Sequence, residues 1–561
     1  MTSVRQRTKY GLLSALIGTA VVALVGADLA FGASNSHESE NAFGCAPDRV
    51  AVAHYQGGVV VASPPPGEAK KAPVPCSAAT GWRTNEMGIA VTSTGTVVIS
   101  PAFPEAGTPI GLIRSTDNGA SWQSIVPVET PPRTDQFDSS LGIDSKTGRM
   151  FYVTPGYFTA QYPETAGLWF SDDDGETWSV GAGATMLPPS GRTDQMKIFA
   201  GPPTPISRDK MKAYPNVVYN CGGHKPFRCQ ASRDGGLSWG PVIFLPFPPE
   251  LASIQGPKND CSAFGENGVV GKDGTVYIGY TPCNRPYVAI SRDEAQTWRA
   301  VKVADVETVG FGLNGVAIDE AGTLYAAWVA AADRLPYLSI SRDRGETWSS
   351  PVMVGAPGVK EAALPKVVAG KAGQVAVAYY GSQNSPGAPF PDKCTNGPAS
   401  CPAYKSETWN MYITETFDAV RAQPVFWSAA INDPAVPASY GCIPSSTGVV
   451  RLDEGNPFVI TSTDTVECWF VMDYIAMQMS EDGTPWVGFP QMCLGVPGNP
   501  NCPDTFAAGA GGDPDSGGSN SVGLSTGMYF AMFGRLSDHN ESDVNGSGNN
   551  DDNDTGQGRN H

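Results

Sequence analysis

An eight-residue pattern, Ser-x-Asp-x-Gly-x-Ser/Thr-Trp, recurs five times in this chain, at residues 115–122, 171–178, 232–239, 291–298 and 341–348. Its tryptophans, Trp122, Trp178, Trp239, Trp298 and Trp348, are 56, 61, 59 and 50 residues apart. A fixed period of this length is the mark of a repeat architecture, in which each unit buries its apolar face only against its neighbours. The residue types suit a hairpin turn: the Asp carboxylate accepts backbone N–H groups, Gly supplies a positive φ, and Trp buries a large apolar face. The motif is therefore structural. The fourth copy carries Ala295 where Gly stands elsewhere, and strain is expected at that turn.

A second series of turns lies upstream: Thr94-Gly95-Thr96, Thr147-Gly148-Arg149, Asp273-Gly274-Thr275, Ala321-Gly322-Thr323, Ala372-Gly373-Gln374 and Asp482-Gly483-Thr484. Each separates two apolar runs, as a two-strand hairpin does. Combining both series gives strand A, Gly turn, strand B, a variable connection, strand C, the Ser-x-Asp turn and strand D. The fold expected is all-β, a β-propeller of four-stranded antiparallel blades. Seven units are counted, at 83–130, 133–187, 192–248, 259–305, 308–356, 361–432 and 466–537. The sixth and seventh lack a full Ser-x-Asp turn, so a six-bladed ring is the alternative, and the early segment 49–62 is the candidate for closing the ring.

The five copies resemble the Asp-box, or bacterial neuraminidase repeat, of the sialidase-like propeller superfamily, over residues 83–537. The run Trp469-Phe-Val-Met-Asp473-Tyr474 is also similar to a recurring feature of exported sialidase-like proteins. The resemblance is specific for fold, because the same turn serves glycosidases, sorting receptors and assembly factors.

The formal charge of −18 excludes a nucleic-acid partner, which needs a surplus of Lys and Arg. Six carboxylates and one arginine fall in 538–561, which reads as a disordered acidic tail. At the other end, Arg5, Arg7 and Lys9 precede an apolar run at 11–25. Residues 1–32 read as a signal peptide, with a membrane anchor as the alternative, and 33–82 as an N-terminal segment holding the closing strand. The protein is placed outside the cell or at its envelope, touching a membrane only through an uncleaved N-terminal segment, and a monomer is expected.

Twelve cysteines accord with export. Proximity suggests the pairs Cys45 with Cys76, Cys221 with Cys229, Cys261 with Cys283, Cys394 with Cys401, Cys442 with Cys468, and Cys493 with Cys502.

Because strands alternate in direction, both kinds of turn must share one face of the disc, while the B–C and D–A connections emerge on the other. Function is expected on this second, loop face, which carries the long connections 102–109, 155–166 and 381–408. The segments leading into the inner strands hold Arg83 and Glu86, Arg133 and Asp135, and Arg192 and Asp194, with Asp260, Glu361 and Asp473 at later units. Closed into a ring, these form a set of arginines and carboxylates fit to hold a carboxylated sugar and supply acid and base; inter-blade ion pairs are the alternative.

The resemblance implies a glycoside hydrolase of exo-sialidase type, with three arginines on the substrate carboxylate, an Asp acid/base and a Tyr nucleophile paired with Glu. The Phe/Tyr-Arg-Ile-Pro segment of true sialidases is absent. Carried residue by residue, the catalytic candidates are Asp135, Asp194, Glu361 and Tyr474, with Tyr379 as a second tyrosine, and the ligand-binding candidates are Arg83, Arg133, Arg192, Glu86 and Asp473. Arg114, Arg233, Arg292 and Arg342 belong to the structural turns and are not candidates. His37, His54, His224, His539 and His561 lack metal-ligand spacing. No phosphate-binding loop or Gly-x-Ser-x-Gly elbow appears. No cofactor is expected, with structural calcium at the acidic ring left open. Two functions follow: an exported propeller that acts on or binds glycans, and a non-catalytic scaffold that binds an envelope protein or polysaccharide.

Overall fold

A computed structural model describes residues 44–46, 49–62, 72–84, 87–102, 111–125, 139–154, 167–181, 196–211, 213–223, 227–253, 265–309, 315–385, 407–440, 475–492 and 529–537. They form seven antiparallel sheets and, among the described residues, no α-helix. Blade 1 is Gly88–Val91, Val97–Ala102, Gly111–Ser115 and Gln123–Ile125. The inner strands of blades 2 to 5 are Ser140–Ile143, Lys197–Gly201, Gly265–Val270 and Gly315–Ile318. Blade 6 is Glu361–Ala369, Val375–Ser382, Thr408–Thr416 and Phe426–Ala430; blade 7 opens with Ala476–Met479 and Pro485–Met492. Each inner strand packs against that of the next blade, blade 7 against blade 1 included, so the ring is closed. Seven blades replace the six-bladed alternative.

The closing strand differs from the sequence expectation. Segment 49–62 does not complete a terminal blade: Val52–Tyr55 and Val59–Val60 extend the outer edge of blade 6, where Val52 pairs with Ser428 and His54 with Phe426. His54 is fully buried there and hydrogen-bonds Ser428 Oγ at 2.6 Å, which fixes the hairpin on that edge. Closure falls instead to Val74–Arg83, which pairs with Tyr529–Ser537 to give blade 7 its outer strand. Blade 7 thus joins the two ends of the chain.

The Ser-x-Asp turns link strands C and D of blades 1 to 5 and share one bonding scheme. In the first, the Ser115 hydroxyl donates to Asp117 Oδ1 at 2.7 Å and accepts from Gly119 N–H at 2.7 Å, while Asp117 accepts the Ser121 N–H at 2.9 Å. The turn is closed by side chains, which frees the backbone to reverse within a few residues. Burial works upward on the Asp117 carboxyl, but the Ser121 and Ser115 donors outweigh it and hold its pKa low. At Asp343 the Thr347 hydroxyl and N–H bring it to about 2. Ala295 takes the left-handed conformation demanded of the missing glycine, φ 63°, and still donates its N–H to Ser291 Oγ at 2.9 Å. The second turn series is equally regular, with Gly95, Gly148, Gly274, Gly322, Gly373 and Gly483 all at φ between 76° and 93°.

The core lies between blades. Val217, Tyr219 and Cys229 of blade 3 pack on Val276 and Ile278 of blade 4, for example, while the alternate residue Val218 faces Phe151 and Val153 of blade 2. This two-sided burial explains why the second strands read as continuous apolar runs, as in Leu324–Val329.

Candidate functional site

The best-defined polar cluster of the loop face sits between blades 5 and 6. Glu361 is the first residue of the inner strand of blade 6 and is fully buried. Its Oε2 accepts the Ser385 hydroxyl at 2.6 Å, and its Oε1 lies 3.9 Å from Arg334 Nη1. Arg334 belongs to the B–C turn of blade 5, adopts φ 60°, and accepts the Ala362 N–H on its carbonyl at 2.7 Å. Backbone and side chain of one arginine therefore tie the two blades together. A non-glycine residue in this region costs about 1–2 kcal/mol, so the surrounding contacts must hold it there.

Glu407 completes the cluster from the start of the third strand of blade 6 and is likewise fully buried. Burial, and then the negative charge of Glu361, push its pKa up to about 8; the Ser382 and Ser385 hydroxyls beside it work the other way. Neither Glu407 oxygen completes a well-aligned hydrogen bond. Asn384 shapes the turn, accepting from Ser382 Oγ and from Thr408 N–H at 3.2 and 2.9 Å. At neutral pH the cluster thus presents one protonated acid, one further carboxyl beside it, and a guanidinium.

A second charged group lies nearer the axis. Lys197 of blade 3 and Lys366 of blade 6 are both buried on inner strands. Burial lowers the Lys366 pKa well below the ordinary value, and the charge of Lys197 adds to it. Blades 3 and 6 are not neighbours, so Lys197 acts on Lys366 through space rather than across a shared blade interface.

Of the residues expected at the site, Glu361 is where the sequence placed it, at the loop-face start of an inner strand. Arg83 ends the closing strand, opposite Phe530, on the outer side of blade 7. Glu86, Arg133, Asp135, Arg192, Asp194, Asp260, Asp473 and Tyr474 lie outside the described residues. Tyr379 is a core residue: its hydroxyl accepts the Ala356 N–H at 2.7 Å and lies 3.2 Å from Thr414 Oγ1, and burial raises its pKa. It is not a partner for Glu361. Arg114, Arg233 and Arg292 serve the turns, bonding the Asp174 carbonyl, Glu294 and Glu346. Sequence reasoning missed Arg334 and Glu407. The signal for Glu407 was an acid opening an otherwise buried strand, the same signal that marked Glu361.

Two disulfides join Cys45 to Cys76 and Cys221 to Cys229, as expected, and Cys283 is also disulfide-bonded. The pair at Cys221 staples the loop-face end of blade 3. Cys261, Cys394, Cys401, Cys442, Cys468, Cys493 and Cys502 lie outside the described residues. Among the described residues no group of His, Cys, Asp and Glu is arranged to hold a metal ion, and no helix is long and apolar enough to cross a membrane.

Fold and site together define a seven-bladed, all-β propeller with a charged loop face. No family model and no curated protein sequence matches the chain. Among solved structures it is similar to a protein of unknown function from Dyadobacter fermentans, with 13% identity, TM-score 0.38, and coverage of 72% of this chain and 96% of that one. It is similar to the Hadza microbial sialidase Hz136, with 15% identity, TM-score 0.36, and coverage of 62% and 66%. It is also similar to an α-L-arabinofuranosidase from Fusarium graminearum, with 13% identity, TM-score 0.36, and coverage of 54% and 89%.

Proposed function

We propose that this protein is an exported, carbohydrate-directed propeller of Asp-box type that hydrolyses a glycosidic bond from its loop face. The observation that carries the reading is the pair of buried acids, Glu361 and Glu407, one of which keeps its proton to about pH 8. Glycoside hydrolysis needs a carboxylic acid to protonate the leaving oxygen and a carboxylate to serve the opposite side of the sugar ring. Glu407 is suited to the first role. Glu361, held by Ser385 and facing Arg334, is suited to the second, taking a proton from the attacking water or bonding the anomeric carbon. Asp135, Asp194 and Tyr474 are further catalytic candidates, and Arg133, Arg192, Glu86 and Asp473 are proposed to contact the sugar, whereas Arg83, on the outer strand of blade 7, is not. Export accords with the disulfides.

The complete burial of both acids favours a second reading, in which the cluster locks blade 5 to blade 6 and the loop face binds a polysaccharide or protein without turnover. Purified protein assayed on sialosides, arabinofuranosides and hexosides separates the two. Hydrolysis that falls about 10²–10⁴-fold in Glu407→Gln and Glu361→Gln, with the fold retained, is expected of an acid–base pair. Absence of turnover on every glycoside, or turnover indifferent to both substitutions, would sink the hydrolytic reading.

A further inference from the structure

Four side chains of the blade 6 sheet, none of them part of the acid cluster, form a hydrogen-bonded chain across its face toward blade 5. Each comes from a different strand: Tyr379 from the second, Thr414 from the third, Ser428 from the fourth, and His54 from the hairpin 52–60 added at the outer edge. All four are buried. His54 Nε2 lies 2.6 Å from Ser428 Oγ, Ser428 Oγ lies 2.6 Å from Thr414 Oγ1, and Thr414 Oγ1 lies 3.2 Å from the Tyr379 hydroxyl. Both ends are backbone groups. Ala356, in the connection from blade 5 to blade 6, donates its N–H to the Tyr379 oxygen at 2.7 Å, and the Tyr55 carbonyl accepts from His54 Nδ1 at 3.1 Å.

An N–H can only donate and a carbonyl only accept, so every proton between them has one place. The phenol donates to Thr414, Thr414 to Ser428, Ser428 to Nε2, and Nδ1 holds the proton of a neutral imidazole. A proton added at Nε2 sets two donors against each other. For Ser428 to accept it, the hydroxyl protons must turn back along the chain; the Tyr379 oxygen then receives both Ala356 and Thr414, and its own proton has no acceptor among the described residues. An unpaired buried donor and a buried charge both disfavour the closed hairpin. No carboxylate among the described residues offsets that charge. The titratable groups on this face are Tyr55 of the hairpin and Tyr379 and Tyr412 of blade 6. The fourth strand presents Phe426 and Ser428, and Val352–Met353 of blade 5 runs beside residues 56–58. Arg49 is turned to the Asn432 carbonyl at 2.8 Å, and Glu415 is on the opposite face of the sheet, bonded by Gln374. Burial holds the imidazole below its ordinary value of 6.5, with the Tyr55 carbonyl working the other way.

The hairpin can open by itself. It pairs with blade 6 over three residues, Val52 with Ser428, Ala53 with Trp427 and His54 with Phe426, while the strand beneath it, Phe426–Ala430, is held separately by Thr408–Thr416. The chain on either side stays on blade 7 through the Cys45–Cys76 disulfide and the strand Val74–Arg83. We propose that hairpin 52–60 is an acid-operated latch, closed over the outer edge of blade 6 while His54 is neutral and released when His54 takes up a proton, which leaves Phe426–Ala430 as a free sheet edge. The latch does not depend on the chemistry of Glu361 and Glu407.

The test follows hydrogen exchange of the full chain by mass spectrometry from about pH 7.5 to about pH 4.5, with the intrinsic pH dependence of exchange divided out. The open hairpin binds a proton that the closed one excludes, so its opening equilibrium should rise by up to about tenfold for each pH unit below 6.5 and stay flat above it. Peptides covering 52–61 and 426–430 should show the rise, and those of the inner strands should not. His54→Gln, neutral throughout, should remove it. If that variant leaves the hairpin unprotected even at the highest pH, the imidazole of the parent chain decides: its nitrogen shifts should report a neutral ring protonated at Nδ1 for as long as the hairpin amides are protected. Exchange of 52–61 that is indifferent to pH in the parent chain, a rise that persists in His54→Gln, or an imidazole that titrates at its ordinary value with the hairpin amides still protected overturns the proposal.

Discussion

Replacing Glu407 by Gln should abolish the pH dependence of stability contributed by this one site. In the unfolded chain the Glu407 carboxyl titrates at its ordinary value of 4.5, whereas in the folded protein it titrates at about 8. Between those values the folded state holds a proton that the unfolded state has released. Stability therefore falls as pH rises, by about 1.4 kcal/mol per pH unit. The contribution is whole below pH 4.5 and fully lost above about pH 8, a total on the order of 5 kcal/mol across the interval. Gln is of similar size and neutral throughout, so other titrating groups cancel in the difference between the two proteins. Urea unfolding followed at intervals from about pH 5 to pH 9 should show the Glu407→Gln protein gaining on the parent as pH rises and the gap levelling above about pH 8. Parallel curves over this range would refute the account, for they would mean that Glu407 is ionised in the folded protein and that its burial beside Glu361 has been misread.

Two further outcomes follow from the repeat geometry. Gly345→Ala should destabilise the fifth turn by about 1–2 kcal/mol, because Gly345 sits at φ 83° and an added Cβ would lie 2.8 Å from Ile290 Cδ1; an unchanged urea midpoint would contradict this. Deleting the closing strand, residues 74–83, should leave the outer edge of Tyr529–Ser537 unpaired and remove Ala78 and Trp82 from the core they share with Met87 and Ile89, lowering the heat-unfolding midpoint; an unchanged calorimetric midpoint in the truncated chain would show that the ring does not need this strand.

The amino-acid sequence by itself determined the features whose physics is local. Ser115, Asp117, Gly119 and Ser121 bond one another within four residues, so their spacing records the turn whatever the rest of the chain does. The same holds for the positive-φ glycines and for the Cys221–Cys229 pair, which faces itself across one hairpin. Repeated at a near-constant interval, those turns fixed the blade and hence the propeller. Tertiary structure alone decided what depends on residues far apart in the chain. Val52–Tyr55 and Val74–Arg83 both precede the first blade, and only the pairing available at each sheet edge gave one to blade 6 and the other to blade 7. Likewise, Glu407 is an ordinary glutamate in the sequence; it becomes a protonated acid only because folding buries it beside Glu361, and desolvation is a property of the surroundings rather than of the residue.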